Sequence, residues 1–204
     1  NQNFPPLTIA LYGYGENIHA EGAEGMSGGA GGEITVFTTP CSVNTILFSQ
    51  SGEPSCSVTD VGLHYITLES DLSVNAGASY GASYDGYGAA DAGVVEVSIF
   101  AGQSNEDGST QAIVDVEGNI MAHGASRVGF YEESDSERSY GGQVALKNPL
   151  GALSFRGDIQ LDAGDIVTGQ EQGSTRIAGE LQVIATELVI NGKLSAHAGS
   201  GGSQ

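Results

Sequence analysis

The chain has 204 residues, 32 of them glycine, no tryptophan and a formal net charge of −19 at pH 7. Glycine weakens helix interiors, and so strong a negative field repels phosphate backbones and anionic lipid. A helical domain, a nucleic-acid partner and membrane insertion are therefore all disfavoured. No apolar run approaches the roughly 20 residues that a helical membrane span needs. The charge is uneven: residues 1–126 carry 15 acids and no Lys or Arg, whereas the remainder carries 10 acids and all six cations.

Taken in chain order, Pro5-Pro6 precedes a segment, Leu7–Tyr12, in which Leu7, Ile9 and Leu11 share one face of a predicted strand. Gly22–Gly32 holds six glycines in eleven residues and reads as a flexible tether. The chain thus divides into an N-terminal strand segment (1–21), the tether (22–32) and a globular domain (33–204). Cys41 and Cys56 bracket a turn-rich stretch, an arrangement that predicts a disulfide in an oxidising compartment; two buried thiols are the alternative. The sequence begins at Asn1 and is read as a mature, secreted product.

Period-two alternation dominates the rest. It is longest over 71–84, where Leu72, Val74, Ala76, Ala78, Tyr80, Ala82 and Tyr84 share one face. Further strands are predicted at 34–38, 45–49, 63–69, 94–101, 112–116, 119–131, 143–146, 152–161, 166–169, 177–190 and 193–198. Glu117-Gly118, Asn148-Pro149 and Asn191-Gly192 separate some of them and read as turns, the Asn-Gly pair as a hairpin. No repeat of 20–50 residues is evident, which argues against a solenoid or propeller. The fold class expected is all-β: an antiparallel β-sandwich or jelly-roll.

Catalytic motifs are weak. Gly77–Gly81 matches G-x-S-x-G, but Ser79 lies inside an alternating strand with no helix after it, so the match reads as chance. Gln103–Gly108 resembles the start of a calcium loop, but the twelfth position is Val114, which cannot ligate. Glu132, Glu133, Asp135 and Glu137 form a cluster of hard oxygen ligands that would suit structural calcium or, more simply, a solvated loop. No other cofactor is expected. His19, His64, His123 and His197 are scattered without metal-ligand spacing. Tyr80, Tyr84 and Tyr87 are candidates for stacking on sugars, against ordinary core or surface placement.

The alternating stretch Leu72–Tyr84 and the turn Ile159–Asp165 resemble segments of secreted bacterial jelly-roll surface proteins. The isolated first strand resembles the donor strand of pilin-type fibre subunits. The resemblance implies a sandwich at the cell surface with no catalytic site. It also implies assembly through Phe4, Leu7, Ile9, Leu11 and Tyr12 completing a neighbour's sheet. The expectation is thus a structural subunit of an extracellular fibre or coat, a head-to-tail homopolymer. A carbohydrate- or matrix-binding module is the alternative, and an unrecognised hydrolase a third.

Overall fold

The structure, a computed structural model, describes residues 8–11, 18–24, 29–38, 47–48, 54–55, 63–78, 91–99, 111–129, 138–168, 175–199 and 201–202. The first turn of the chain holds β1 (Thr8–Leu11), β2 (Ile18–His19) and β3 (Glu33–Thr38), followed by the short pair β4 (Leu47–Phe48) and β5 (Pro54–Ser55). The second holds β6 (Leu63–Leu68), β7 (Leu72–Ser73) and β8 (Val94–Ile99). The third runs through β9 (Gln111–Val116), β10 (Ile120–Met121), β11 (Arg127–Gly129) and β12 (Arg138–Tyr140) into the long β13 (Gln143–Phe155). The fourth comprises β14 (Ile159–Gln160), β15 (Ile166–Thr168), β16 (Thr175–Ile177) and β17 (Glu180–Ile190), after which β18 (Leu194–Ser195) and β19 (Gly201–Gly202) begin a fifth.

Every pairing among these strands is parallel except β4 with β5. Each strand lies on the equivalent strand of the previous turn. The largest sheet has seven strands, with β13 pairing β9 and β8 along one edge and β17 along the other. Ile18, Leu72, Ile120, Ile159 and Leu194 form one column. The chain is therefore a coil of stacked turns, a parallel β-solenoid, and there is no helix among the described residues.

This overturns the antiparallel sandwich or jelly-roll. Alternation of period two is the same in parallel and antiparallel strands, so it could not choose between them. Two Gly-containing pairs read as turns, Asn191-Gly192 as a hairpin, are corners: at Glu117-Gly118 and Asn191-Gly192 the chain changes direction without reversing, and its next strand pairs with the turn beneath. Of the predicted 71–84 strand, residues 71–78 are described, and among them only β7 is strand, with Leu72, Ser73 and Val74 all buried. Asn148-Pro149 is no turn either. β13 runs through it with a register shift against β17. Pro149 has no N–H for the ladder. There the buried Asn148 Nδ2 donates to the carbonyls of Ala112 (3.0 Å) and Ala152 (2.6 Å).

A repeat does exist. The corner sequences Ser70-Asp71-Leu72, Gly118-Asn119-Ile120, Gly157-Asp158-Ile159 and Gly192-Lys193-Leu194 stack on one another. A second set, Gly32-Glu33-Ile34, Gly93-Val94-Val95, Gly142-Gln143-Val144 and Gly179-Glu180-Leu181, opens each strand of another column. In the column of Ile18, Leu72, Ile120, Ile159 and Leu194 equivalent residues are 54, 48, 39 and 35 positions apart, so no fixed period shows. The corner glycines are required by close approach: a Cβ on Gly157 would sit 2.1 Å from the Gly118 carbonyl oxygen. Side chains add a vertical chain of bonds. Asp71 Oδ1 accepts the Asn119 N–H (2.7 Å), Asn119 Oδ1 the Asp158 N–H (2.9 Å), and Asp158 Oδ1 the Lys193 N–H (2.9 Å).

The core is the inside of the coil. Inward residues stack as columns such as Val36–Val97–Leu146 and Ile66–Val114–Leu153, fully buried in the middle turns. Cys41 and Cys56, and with them the expected bridge, lie outside the described residues.

Candidate functional site

The expected sites fall largely outside the described residues. Glu132, Glu133, Asp135 and Glu137, the tyrosines Tyr80, Tyr84 and Tyr87, and Phe4, Leu7 and Tyr12 all lie there. Ile9 and Leu11 belong to β1, which pairs in parallel with β6 of its own chain. The described part of the glycine-rich stretch also stacks on the second turn, with the Gly22 N–H on the Asn75 carbonyl and the Gly31 N–H on that of Asp91.

Two features that sequence reasoning missed come from stacking. The first is a polar ladder on the outside of the coil. Glu21, Asn75, His123, Asp162 and His197 occupy one position on successive turns, three residues past the column of Ile18, Leu72, Ile120, Ile159 and Leu194. Ser73 Oγ donates to Glu21 Oε1, and Asn75 Nδ2 donates to both (3.2 Å to Glu21 and 2.9 Å to Ser73). Asn75 Oδ1 accepts the His123 backbone N–H (2.8 Å), and His123 Nε2 lies 2.8 Å from Gln160 Oε1. Asp162 sits between two histidines: His123 Nδ1 is 3.8 Å from Oδ2 and His197 Nδ1 is 3.1 Å from Oδ1. Asp162 Oδ1 also accepts the His197 backbone N–H (2.7 Å) and the Ser195 hydroxyl (2.8 Å).

These bonds move the carboxyls. The Ser73 hydroxyl, with help from His19 and Asn75, holds Glu21 below the usual carboxylate range against the opposing effect of burial. At Asp162 burial is the largest single influence and raises the value. It is outweighed by the His197 N–H, the Ser195 hydroxyl, the His197 ring and the nearby His123, so the net shift is downward.

Ser195, His197 and Asp162 are together a Ser-His-Asp set, but not one wired as a proton relay. Ser195 Oγ (2.8 Å) and Asp162 Oδ1 (3.1 Å) both meet the same ring nitrogen, Nδ1. A relay needs the hydroxyl on one nitrogen and the carboxylate on the other. His123, Asp162 and His197 line a shallow, open groove with Gly164 and Gly199. Among the described residues no group of three or more His, Cys, Asp or Glu side chains is placed to hold a metal ion.

The second feature is the end of the coil. β17 is paired to β13 along one edge, and no described strand covers the other. Leu188, Ile190 and Leu194 continue the core columns of Leu153, Phe155 and Ile159, yet are 46%, 52% and 57% exposed. They frame an apolar hollow over Leu153, Phe155 and Ile159. Ile184 and Val189, on the outer side of β17, are exposed as well. Monomers rarely expose so contiguous an apolar patch unless it is an interaction site.

No protein-family model matches this chain, and neither a curated protein nor a solved structure is significantly similar to it. The functional reading therefore rests on the geometry alone.

Proposed function

We propose that this protein is a structural module of an extracellular fibre or surface coat, built to be extended by strand-on-strand stacking. The observation that carries the proposal is the apolar, unpaired edge of β17 and β18. A solenoid is quasi-one-dimensional, with each turn burying its apolar face against the next, and an end that is to remain in solution needs a polar cap. Among the described residues the core columns run out to β17 and β18 without one. Five stacked turns rise about 20 Å at 4.7–4.9 Å per layer, and a longer shaft needs further turns stacked on this edge.

The acidic surface supports the same reading, since like-charged flanks suppress side-by-side association and leave the ends as points of contact. Strand complementation remains the mode of assembly. The open apolar edge of β17 and β18 supports assembly there, while β1 is already paired within its own chain. Antibody labelling of intact source cells tests the proposal. Labelling without permeabilisation is expected, and labelling only after lysis would overturn the surface role.

A further inference from the structure

Two hydrogen-bond acceptors converge in the groove beside the polar ladder. His123 Nε2 lies 2.8 Å from Gln160 Oε1, an atom that only accepts, so Nε2 carries the ring proton. In the neutral ring Nδ1 is then an acceptor. It faces Asp162 Oδ2, a second acceptor, at 3.8 Å, too far for a direct hydrogen bond. Neither side chain is free to turn away. The Asp162 carboxylate is held through Oδ1 by the His197 backbone N–H (2.7 Å) and the Ser195 hydroxyl (2.8 Å). His123 is held by Gln160 and by its own backbone N–H, which donates to Asn75 Oδ1 (2.8 Å). Both residues have a stacked turn on each side, so the pair is fixed before any ligand arrives, as a binding site requires.

The rest of the groove suits a flat, polar ligand. Ser126 and Asp165 line it three residues beyond His123 and Asp162, and between them come only small residues, Gly124 and Ala125 on one turn and Ala163 and Gly164 on the next. The volume is about 660 Å³, within the roughly 300–1,000 Å³ of small-ligand sites. The Ser126 hydroxyl, whose oxygen accepts the Asp165 N–H (3.4 Å), adds a group that donates as well as accepts. We propose that this groove binds a neutral glycan, with adjacent hydroxyls of one sugar ring donating to His123 Nδ1 and Asp162 Oδ2 and a further sugar oxygen accepting the Ser126 hydroxyl. An ammonium group would satisfy the two acceptors but has no lone pair for Ser126. A metal ion needs more ligands than converge here among the described residues. Acidic glycans are turned away by Asp162, Asp165 and the net charge of −19.

The test is titration of the isotope-labelled, full 204-residue chain, followed by its amide resonances. The probes are neutral oligosaccharides of glucose, mannose, galactose, xylose and N-acetylglucosamine, with oligogalacturonate, sialyllactose and spermidine as counter-probes. At least one neutral glycan should give saturable shifts centred on His123, Gly124 and Asp162, and its permethylated form, which has no hydroxyl to donate, should give none. Asp162→Asn turns one acceptor into a donor and His123→Phe removes the other. Each should lower the affinity at least about tenfold. Ser126→Ala, an exposed change that keeps the test open should a ladder variant unfold, should lower it severalfold. Glu180→Gln, exposed and outside the groove, should leave it unchanged. No saturable shift with any neutral glycan up to about 10 mM would overturn the proposal. So would binding of the acidic glycans or spermidine alone, binding that survives permethylation, or an affinity indifferent to Ser126→Ala and to whichever ladder variants fold.

Discussion

Leu153 and Leu188 occupy the same column on consecutive turns, yet one is 1% exposed and the other 46%. Phe155 and Ile190, and Ile159 and Leu194, repeat the contrast. The residue types are alike and the local strands are alike. What differs is a neighbour: Leu153 has a turn on each side and Leu188 has one. Burial in a stacked coil is conferred by the next layer, so a side chain's contribution depends on its turn rather than on its motif. At the other end Ile34 and Val36, in the first turn, keep only 8% and 9% exposure, so the two ends are not equivalent.

The contrast between inner and end layers can be broken most severely at a corner. Gly157→Val puts a branched side chain where even a Cβ would lie 2.1 Å from the Gly118 carbonyl oxygen. It should cost more than about 4 kcal/mol and abolish the cooperative thermal transition, whereas Ala196→Val on the exposed last turn should stay within about 0.5 kcal/mol. Next in size, Leu153→Ala should cost about 2–5 kcal/mol by denaturant unfolding. Leu188→Ala, exposed in the monomer, should cost under about 1 kcal/mol at concentrations where the chain is monomeric. Equal losses at the two positions would mean that something covers the last turn.

The smallest effect concerns the polar ladder. Asp162 is held below the usual carboxylate range, so its ionised form stabilises the fold at pH values above its unfolded value of about 3.9. That contribution disappears as the pH falls through the lower, folded value. Melting temperature should therefore drop as the solution is acidified below about pH 4, and Asp162→Asn should flatten that decline. An unchanged slope in the variant would show that the contacts of Asp162 with Ser195 and His197 do not persist in solution.

Much of the secondary structure was legible in the sequence. The strands at 63–68, 94–99 and 112–116 were found nearly to the residue because each buries alternate Val, Ile or Leu. Their arrangement was not. The repeat was hidden because equivalent residues drift from 61 to 35 positions apart, and a search for one period passes over it. The polar ladder was illegible for the same cause. His123, Asp162 and His197 lie 39 and 35 residues apart in sequence, and only stacking makes them neighbours. The signal that could have found them is the corner triplet, glycine or serine, then Asp, Asn or Lys, then Leu or Ile, aligned without regard to spacing.

The sequence by itself determined an acidic, glycine-rich, all-β chain with alternating strands and corners at glycine, because side-chain alternation and close backbone approach are local properties. It could not determine whether a strand turns back on its predecessor or climbs to the next layer, since the same alternation serves both. That choice belonged to the tertiary structure. Only once Gly118, Gly157 and Gly192 stack in contact do the corners carry the chain forward in parallel, bring His197 to Asp162, and leave the apolar edge of β17 facing solvent.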